Sequence, residues 1–200
     1  MRADAATLRL AVFPRTGLLA DTLLVLAGTG LVAAAAQISV KLPFTPVPIT
    51  GQTFAVVLVG ASLGSVRGTA SLFLYLWLGV AGAPIYAHHD HGWNVLNSPS
   101  GGYIVGFVVA AAVTGWLAEQ RWDRRFSSAV GAMLTGNVII YLIGLPWLSW
   151  QIDPHPNLEK TFEYGLYPFV PGDMFKLYLA AALLPGAWRA VERVGGRRRR

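Results

Sequence analysis

Residues 91–118 read HGWNVLNSPSGGYIVGFVVAAAVTGWLA, 28 positions between Asp90 and Glu119 without an acidic side chain, a lysine or an arginine. Crossing about 30 Å of hydrocarbon at about 1.5 Å per helical residue takes about 20 mostly apolar residues, so one membrane span fits here. The apolar residues run on without the alternation of a barrel strand, which leaves a helix. Measured the same way, the gaps from Asp21 to Lys41, Lys41 to Arg67, Arg67 to Asp90 and Arg125 to Asp153 hold 19, 25, 22 and 27 uncharged positions. The last apolar stretch, Leu177 to Trp188, has 12 residues. That is about 18 Å of helix, enough to cross only if it extends outward past Lys176 and Asp173. The sequence therefore predicts an all-α integral membrane protein of six transmembrane helices, near residues 18–40, 49–66, 68–87, 102–118, 127–147 and 171–190. It reads as one domain over residues 1–200 with a basic tail at 189–200.

The composition points the same way. The chain is 54% hydrophobic and 13% charged, with a mean hydropathy of +0.49, where about a quarter of an ordinary soluble chain is charged. A net charge of +6 and a pI near 10.0 would suggest nucleic acid if the cations formed a patch, but they are sorted by side. With both termini cytoplasmic, all thirteen arginines fall inside, from Arg2, Arg9 and Arg15 through Arg67, Arg121, Arg124 and Arg125 to Arg189 and beyond. Lys41, Lys160 and Lys176 fall outside. This is the positive-inside pattern of a plasma-membrane protein, and Trp116 and Trp122 near the inner boundary, with Trp147 and Trp150 near the outer, suit it. The bilayer is the expected partner of the Arg197–Arg200 run and nucleic acid is not. The Ala33–Ala36 stretch resembles a signal-peptide cleavage site, but removing it would leave five spans and reverse the charge bias, so retention is expected. No cysteine is present, which excludes disulfides and thiolate metal sites. No G-x-x-x-x-G-K-[ST] loop is present either, so energy for uphill transport must come from other chains.

The segments between spans carry the candidate chemistry. Lys41-Leu-Pro-Phe-Thr-Pro-Val-Pro-Ile-Thr-Gly-Gln-Thr53 is stiffened by three prolines and reads as a lid. Asn94-Val-Leu-Asn-Ser-Pro-Ser-Gly-Gly-Tyr103 leads a polar turn into the fourth span. In Tyr167-Pro-Phe-Val-Pro-Gly-Asp-Met-Phe-Lys-Leu177, Asp173 is placed to cap the last helix, with Lys176 three residues on along the same face. Ionisable groups beneath a membrane surface cost several kcal/mol and usually face a bundle interior or a wet cavity. His88, His89, Asp90 and His91 match no defined metal spacing and read as a solvated loop, so no metal is expected. Asn137 and Tyr141, one turn apart on the fifth span, suit either a cavity or a neighbouring helix. Small residues at four-residue spacing (Gly60, Gly64, Gly68; Gly102, Gly106, Ala110; Ala35, Ser39) suit close helix packing. The Ala35 and Ser39 row is the one expected to dock a partner membrane protein.

Together these motifs resemble the BioY family, the biotin-binding membrane subunits of energy-coupling factor transporters, over about residues 34–184. The matching pieces are Pro46-Val-Pro-Ile-Thr-Gly-Gln52, Tyr75-Leu-Trp-Leu-Gly-Val-Ala-Gly-Ala-Pro84, Ser98-Pro-Ser-Gly-Gly-Tyr103 and Pro168-Phe-Val-Pro-Gly-Asp-Met-Phe-Lys176. The third departs from the family in having Ser-Pro where Gly-Pro is usual. The resemblance implies a six-helix capture subunit of a bacterial or archaeal cell membrane, with biotin held near the extracellular face. It also implies a transmembrane coupling protein and two cytoplasmic ATPases as partners, and neither catalysis nor a cofactor of its own. It assigns ligand binding to Asp173 and Lys176. A ureido ring, a thiophane ring and a carboxylate are then to be met by these two with Gln52, Asn97, Ser100 and Tyr103, and by Phe169 as an aromatic wall. Which polar group meets which end of biotin is left open. Two other readings stand beside this one: the same architecture holding a different vitamin, and an intramembrane enzyme with Asp173 as base.

Overall fold

The charge-free stretches become helices because a backbone in hydrocarbon must satisfy its hydrogen bonds internally. The computed structural model describes residues 7–12, 17–152 and 157–197. In chain order they form α1 (Leu8–Val12), α2 (Leu18–Gln37), β1 (Ser39–Val40), β2 (Ile49–Thr50), α3 (Gln52–Leu63), α4 (Ser65–Val80), a 3-10 turn (Ala87–His89), α5 (Trp93–Leu96), α6 (Gly101–Glu119), α7 (Phe126–Gln151), α8 (Leu158–Gly165) and α9 (Val170–Arg197). Arg2, Arg15 and Arg198 to Arg200, expected on the inner side, lie outside the described residues.

The six long helices sit where spans were expected, with altered ends. Among the described residues α2, α6 and α7 are long and apolar enough to cross a membrane. Helix α3 has 12 residues and α4 has 16, about 18 and 24 Å, shorter than the expected 49–66 and 68–87. At one end Ile49 and Thr50 are taken by strand β2, and past Val80 the chain turns at Gly82, whose φ of +106° is left-handed, and at Pro84. Helix α9 instead begins at Val170 and runs 28 residues, with Asp173 and Lys176 in its first two turns.

Helix α6 is the axis. In its most apolar stretch 67% of residues are buried, against 39% for α7 and 17% for α2, so α2 lies at the periphery. One apolar cluster, including Val32, Leu72, Tyr75, Phe107 and Ile140, joins α2, α4, α6 and α7. A second, including Val57, Met133, Leu177 and Leu184, joins α3, α7 and α9. The small-residue rows let these helices meet. A Cβ built on Gly60 would collide with Thr114 Oγ1 and stand 2.6 Å from the Ala111 carbonyl oxygen, so α3 touches α6 backbone to backbone there. Gly60→Val is therefore expected to destabilise the fold by about 1–3 kcal/mol, because neither backbone can yield. An unchanged Tm of the purified variant would show that the helices have room to separate.

The bundle has two distinct ends. At one, Gly64 turns α3 into α4 at φ +86°, and Glu119 accepts from the Ser65 N–H at 2.8 Å, satisfying a helix-start donor. Asp21 there accepts from Arg67 at 2.8 and 2.9 Å and also from Arg9, tying α1, α2 and α4 together. At the other end β1 and β2 form an antiparallel pair, Ser39 opposite Thr50, that carries the proline-rich loop. The two residues of the expected docking row, Ala35 and Ser39, do not share an open helix face. Ala35 is buried with Gly51 packed on it, its carbonyl accepting from the Gly51 N–H at 3.2 Å. Ser39 lies beyond the helix, 3.2 Å from His88 Nδ1. Ala35 turns inward because the loop 41–51 folds back over that face.

Candidate ligand-binding site

Beneath the hairpin loop is a cavity of about 270 Å³, close to the lower range for small-molecule sites. Pro46, Val47 and Pro48 of the loop close over it. The lid is tied down on its far side, where Thr45 Oγ1 donates to the Tyr164 carbonyl at 2.6 Å. Helix α3 contributes Gln52 and Thr53, the start of α6 Ser100 and Tyr103, α7 Ile140 and Tyr141, and α9 Asp173 and Lys176. Phe169 and Phe107 form aromatic walls, and Lys41, His88 and Asp90 stand at the exposed rim.

The deep end is a hydrogen-bonded unit centred on Asp173, which is 5% exposed. Its Oδ1 accepts from Lys176 Nζ at 2.9 Å and from Thr53 Oγ1 at 2.9 Å, and its Oδ2 accepts from Tyr141 OH at 2.5 Å. Lys176 Nζ also donates to the Thr50 carbonyl at 2.7 Å. Three helices and the strand thus converge on one ion pair. Asp173 is not the helix cap that its Pro-Gly context suggests. Its own N–H donates to the Phe169 carbonyl at 2.8 Å, so it sits inside the first turn of α9, with its carboxylate free to turn inward. A carboxylate has about four acceptor positions; three are filled here, which leaves one on Oδ2 for a donor from the cavity.

Of the seven residues expected to bind ligand, Gln52, Ser100, Tyr103, Phe169, Asp173 and Lys176 line this one cavity. Asn97 does not. It closes the single turn α5, its N–H bonded to the Trp93 carbonyl at 3.1 Å, and its side chain is exposed. Besides Asp173 and Lys176, two of the six carry side-chain hydrogen bonds that position them: Gln52 Nε2 donates to Tyr75 OH at 2.8 Å, and Tyr103 OH donates to the Gly165 carbonyl at 2.9 Å. Both readings open for Tyr141 are realised, since it lines the cavity and its hydroxyl donates to Asp173 on the neighbouring helix α9. Thr53, and Lys41 at the rim, line the cavity without having been expected there. His88, read as part of a solvated loop, is exposed but lines the cavity mouth. Among the described residues no three His, Cys, Asp or Glu side chains converge as a metal site.

The model of the BioY family matches residues 6–193 of the chain. The biotin transporter BioY of Thermotoga maritima is 36% identical over 155 residues, spanning 78% of this chain and 88% of that protein. The biotin transporter BioY of Rhizobium etli is 33% identical over 151 residues, spanning 72% and 79%. In fold the chain is similar to the crystal structure of the S-component for biotin from an ECF-type ABC transporter, with a TM-score of 0.73 at 24% identity over 87% of this chain and 92% of that one.

Proposed function

The chain belongs to the BioY family, and on that premise we propose that it captures biotin in the lidded cavity and passes it to an ATP-driven transport module. It is a multi-pass membrane protein. The reading takes α2, α3, α4, α6, α7 and α9 as six spans with both termini cytoplasmic and the lid at the outer face. The coupling protein and two ATPases of an energy-coupling factor assembly supply the energy, because the sequence carries no nucleotide loop.

The observation that carries the reading is the buried Asp173 paired with the partly buried Lys176 on the floor of a lidded, aromatic-walled cavity. A ureido group presents N–H donors beside a carbonyl acceptor. The pair presents the complement, the remaining acceptor position of Asp173 Oδ2 beside an ammonium whose bond to Thr53 Oγ1 is long at 3.4 Å. The ureido ring is therefore assigned to the deep end and the thiophane ring to the walls of Phe169 and Phe107. The carboxylate of biotin then points to the rim, where Lys41 and His88 stand and where a charged group keeps part of its hydration. The site binds and releases; Asp173, held by three donors, acts as an acceptor and not as a base.

Calorimetric titration of the purified chain with biotin, without ATP, tests the assignment. Saturable binding of biotin, recovered chemically unchanged and preferred over other vitamins, is the expected result. Tighter binding of another vitamin would move the chain to a different ligand on the same fold, and a turned-over product would make it an enzyme.

A further inference from the structure

The arginine-rich end of the bundle holds a second cavity, open and about 540 Å³ in volume, between the α6–α7 turn and the last turns of α9. It has no part in the ligand site: Tyr141 of that site lies 15 residues beyond Phe126 on α7, about 22 Å along the helix. Arg121, Arg124, Arg125 and Arg189 line it against a single acid, Glu192. Ser127 and Ser128 add hydroxyls.

One of these cations is fixed in place. The Arg124 guanidinium carbon lies 3.4 Å from the centroid of the Trp188 ring, and Trp188 Nε1 donates to the fully buried Asp123 at 2.5 Å. The indole is thus a rigid plate, and a guanidinium stacked on it holds its fork of donors in one set plane. Burial, with the like charge of Arg121 adding to it, holds Arg124 below the usual arginine range against the opposing pull of Asp123. An anion in the cavity would relieve both. Just outside, Phe126 is 47% exposed and stacks on the half-exposed ring of Tyr178 with centroids 6.3 Å apart. A cationic pocket therefore adjoins an outward-facing aromatic surface on the same helices, α7 and α9.

We propose that this pocket binds the phosphate of an anionic phospholipid headgroup, with the acyl chains lying along the Phe126 and Tyr178 surface. Basic pockets between spans at the arginine-rich side of a membrane protein suit such headgroups, and paired guanidiniums bind phosphate oxygens bidentately. The two adjoining surfaces favour a lipid over free phosphate, which has no apolar part to cover the rings.

The full chain reconstituted in nanodiscs of equal phosphatidylglycerol and phosphatidylcholine, then released into detergent for native mass spectrometry, tests this. Phosphatidylglycerol is expected to stay bound about tenfold more than phosphatidylcholine, with the excess lost in the Arg121→Gln and Arg189→Gln double variant. Biotin affinity of the variant reports that its fold is intact. A second arm needs no variant: raising the salt concentration on the original chain is expected to strip the phosphatidylglycerol. Equal retention of the two lipids, or an excess unmoved by both the variant and salt, overturns the proposal. Displacement of the lipid by equimolar inorganic phosphate overturns the lipid as the source of the oxyanion.

Discussion

Replacing Asp173 by Asn is expected to weaken biotin binding by at least about 2 kcal/mol, about thirtyfold in Kd, with the fold retained. The two side chains are nearly the same shape, so packing is kept. Their hydrogen-bonding capacity differs: asparagine has one acceptor oxygen and one donor nitrogen where Asp173 has two acceptors. Lys176 and Thr53 both donate to Oδ1. The amide oxygen must take that place, because an NH₂ there would face an ammonium. The nitrogen then takes the place of Oδ2, where Tyr141 donates. The tyrosine hydroxyl can rotate and accept instead, which is why the fold survives. A ureido N–H arriving at the same atom has no such freedom and meets a donor. Calorimetry with biotin, beside a melting curve, measures both halves of the expectation. Affinity within about threefold of the original at an intact Tm would remove Asp173 from the ligand contacts.

Why Asp173 and Lys176 can be read from the chain while the convergence of Thr53 and Tyr141 cannot follows from what hydrocarbon does to each residue type. Two ionisable groups beneath a membrane surface are costly enough to require a reason, and their three-residue spacing puts them on one helix face. A threonine or tyrosine in a span is cheap, since a threonine can bond its own helix, as Thr29 does with the Val25 carbonyl at 3.0 Å. Nothing in the sequence says that Thr53 of α3 and Tyr141 of α7 point at the same carboxylate. That depends on which helices neighbour α9, a matter of packing. That the burial of Ala35 cannot be read from the chain has a related cause. Helix α2 is apolar on every side, so hydropathy gives it no inward face. Gly28 and Ala36 are buried while Ala27, Gly30 and Ala34 are exposed, and small residues occur on both sides. Helix α8, by contrast, carries a readable signal. Asn157 caps it, its Oδ1 accepting from the Lys160 N–H at 2.9 Å, and Leu158, Thr161, Phe162 and Gly165 follow the helical repeat. Asn97 is the one residue expected to bind ligand that does not line the cavity, because its polar loop coils into the turn α5 and leaves it exposed.

Replacing Lys176 by Met is expected to cost as much, again at least about 2 kcal/mol of biotin binding, but with a lower Tm as well. Methionine keeps much of the stem's volume, so the loss is that of the ammonium. That ammonium joins α9 to β2 through the Thr50 carbonyl and balances the Asp173 charge at 2.9 Å. Without it a buried carboxylate has only the hydroxyls of Thr53 and Tyr141, and a buried charge without its counter-ion is destabilising. The informative measurement is the double variant, Asp173→Asn with Lys176→Met. If the two groups hold adjacent atoms of one ureido ring and also hold each other, removing the second after the first costs less than removing it alone. The combined loss in binding is then expected to fall short of the sum by at least about 0.5 kcal/mol, and the Tm to recover part of the Lys176→Met decrease, since no unpaired charge remains buried. Strict additivity in both readouts would show that the two side chains serve separate parts of the ligand. The carboxylate of biotin would then belong at Lys176, at the deep end, and not at the rim beside Lys41 and His88.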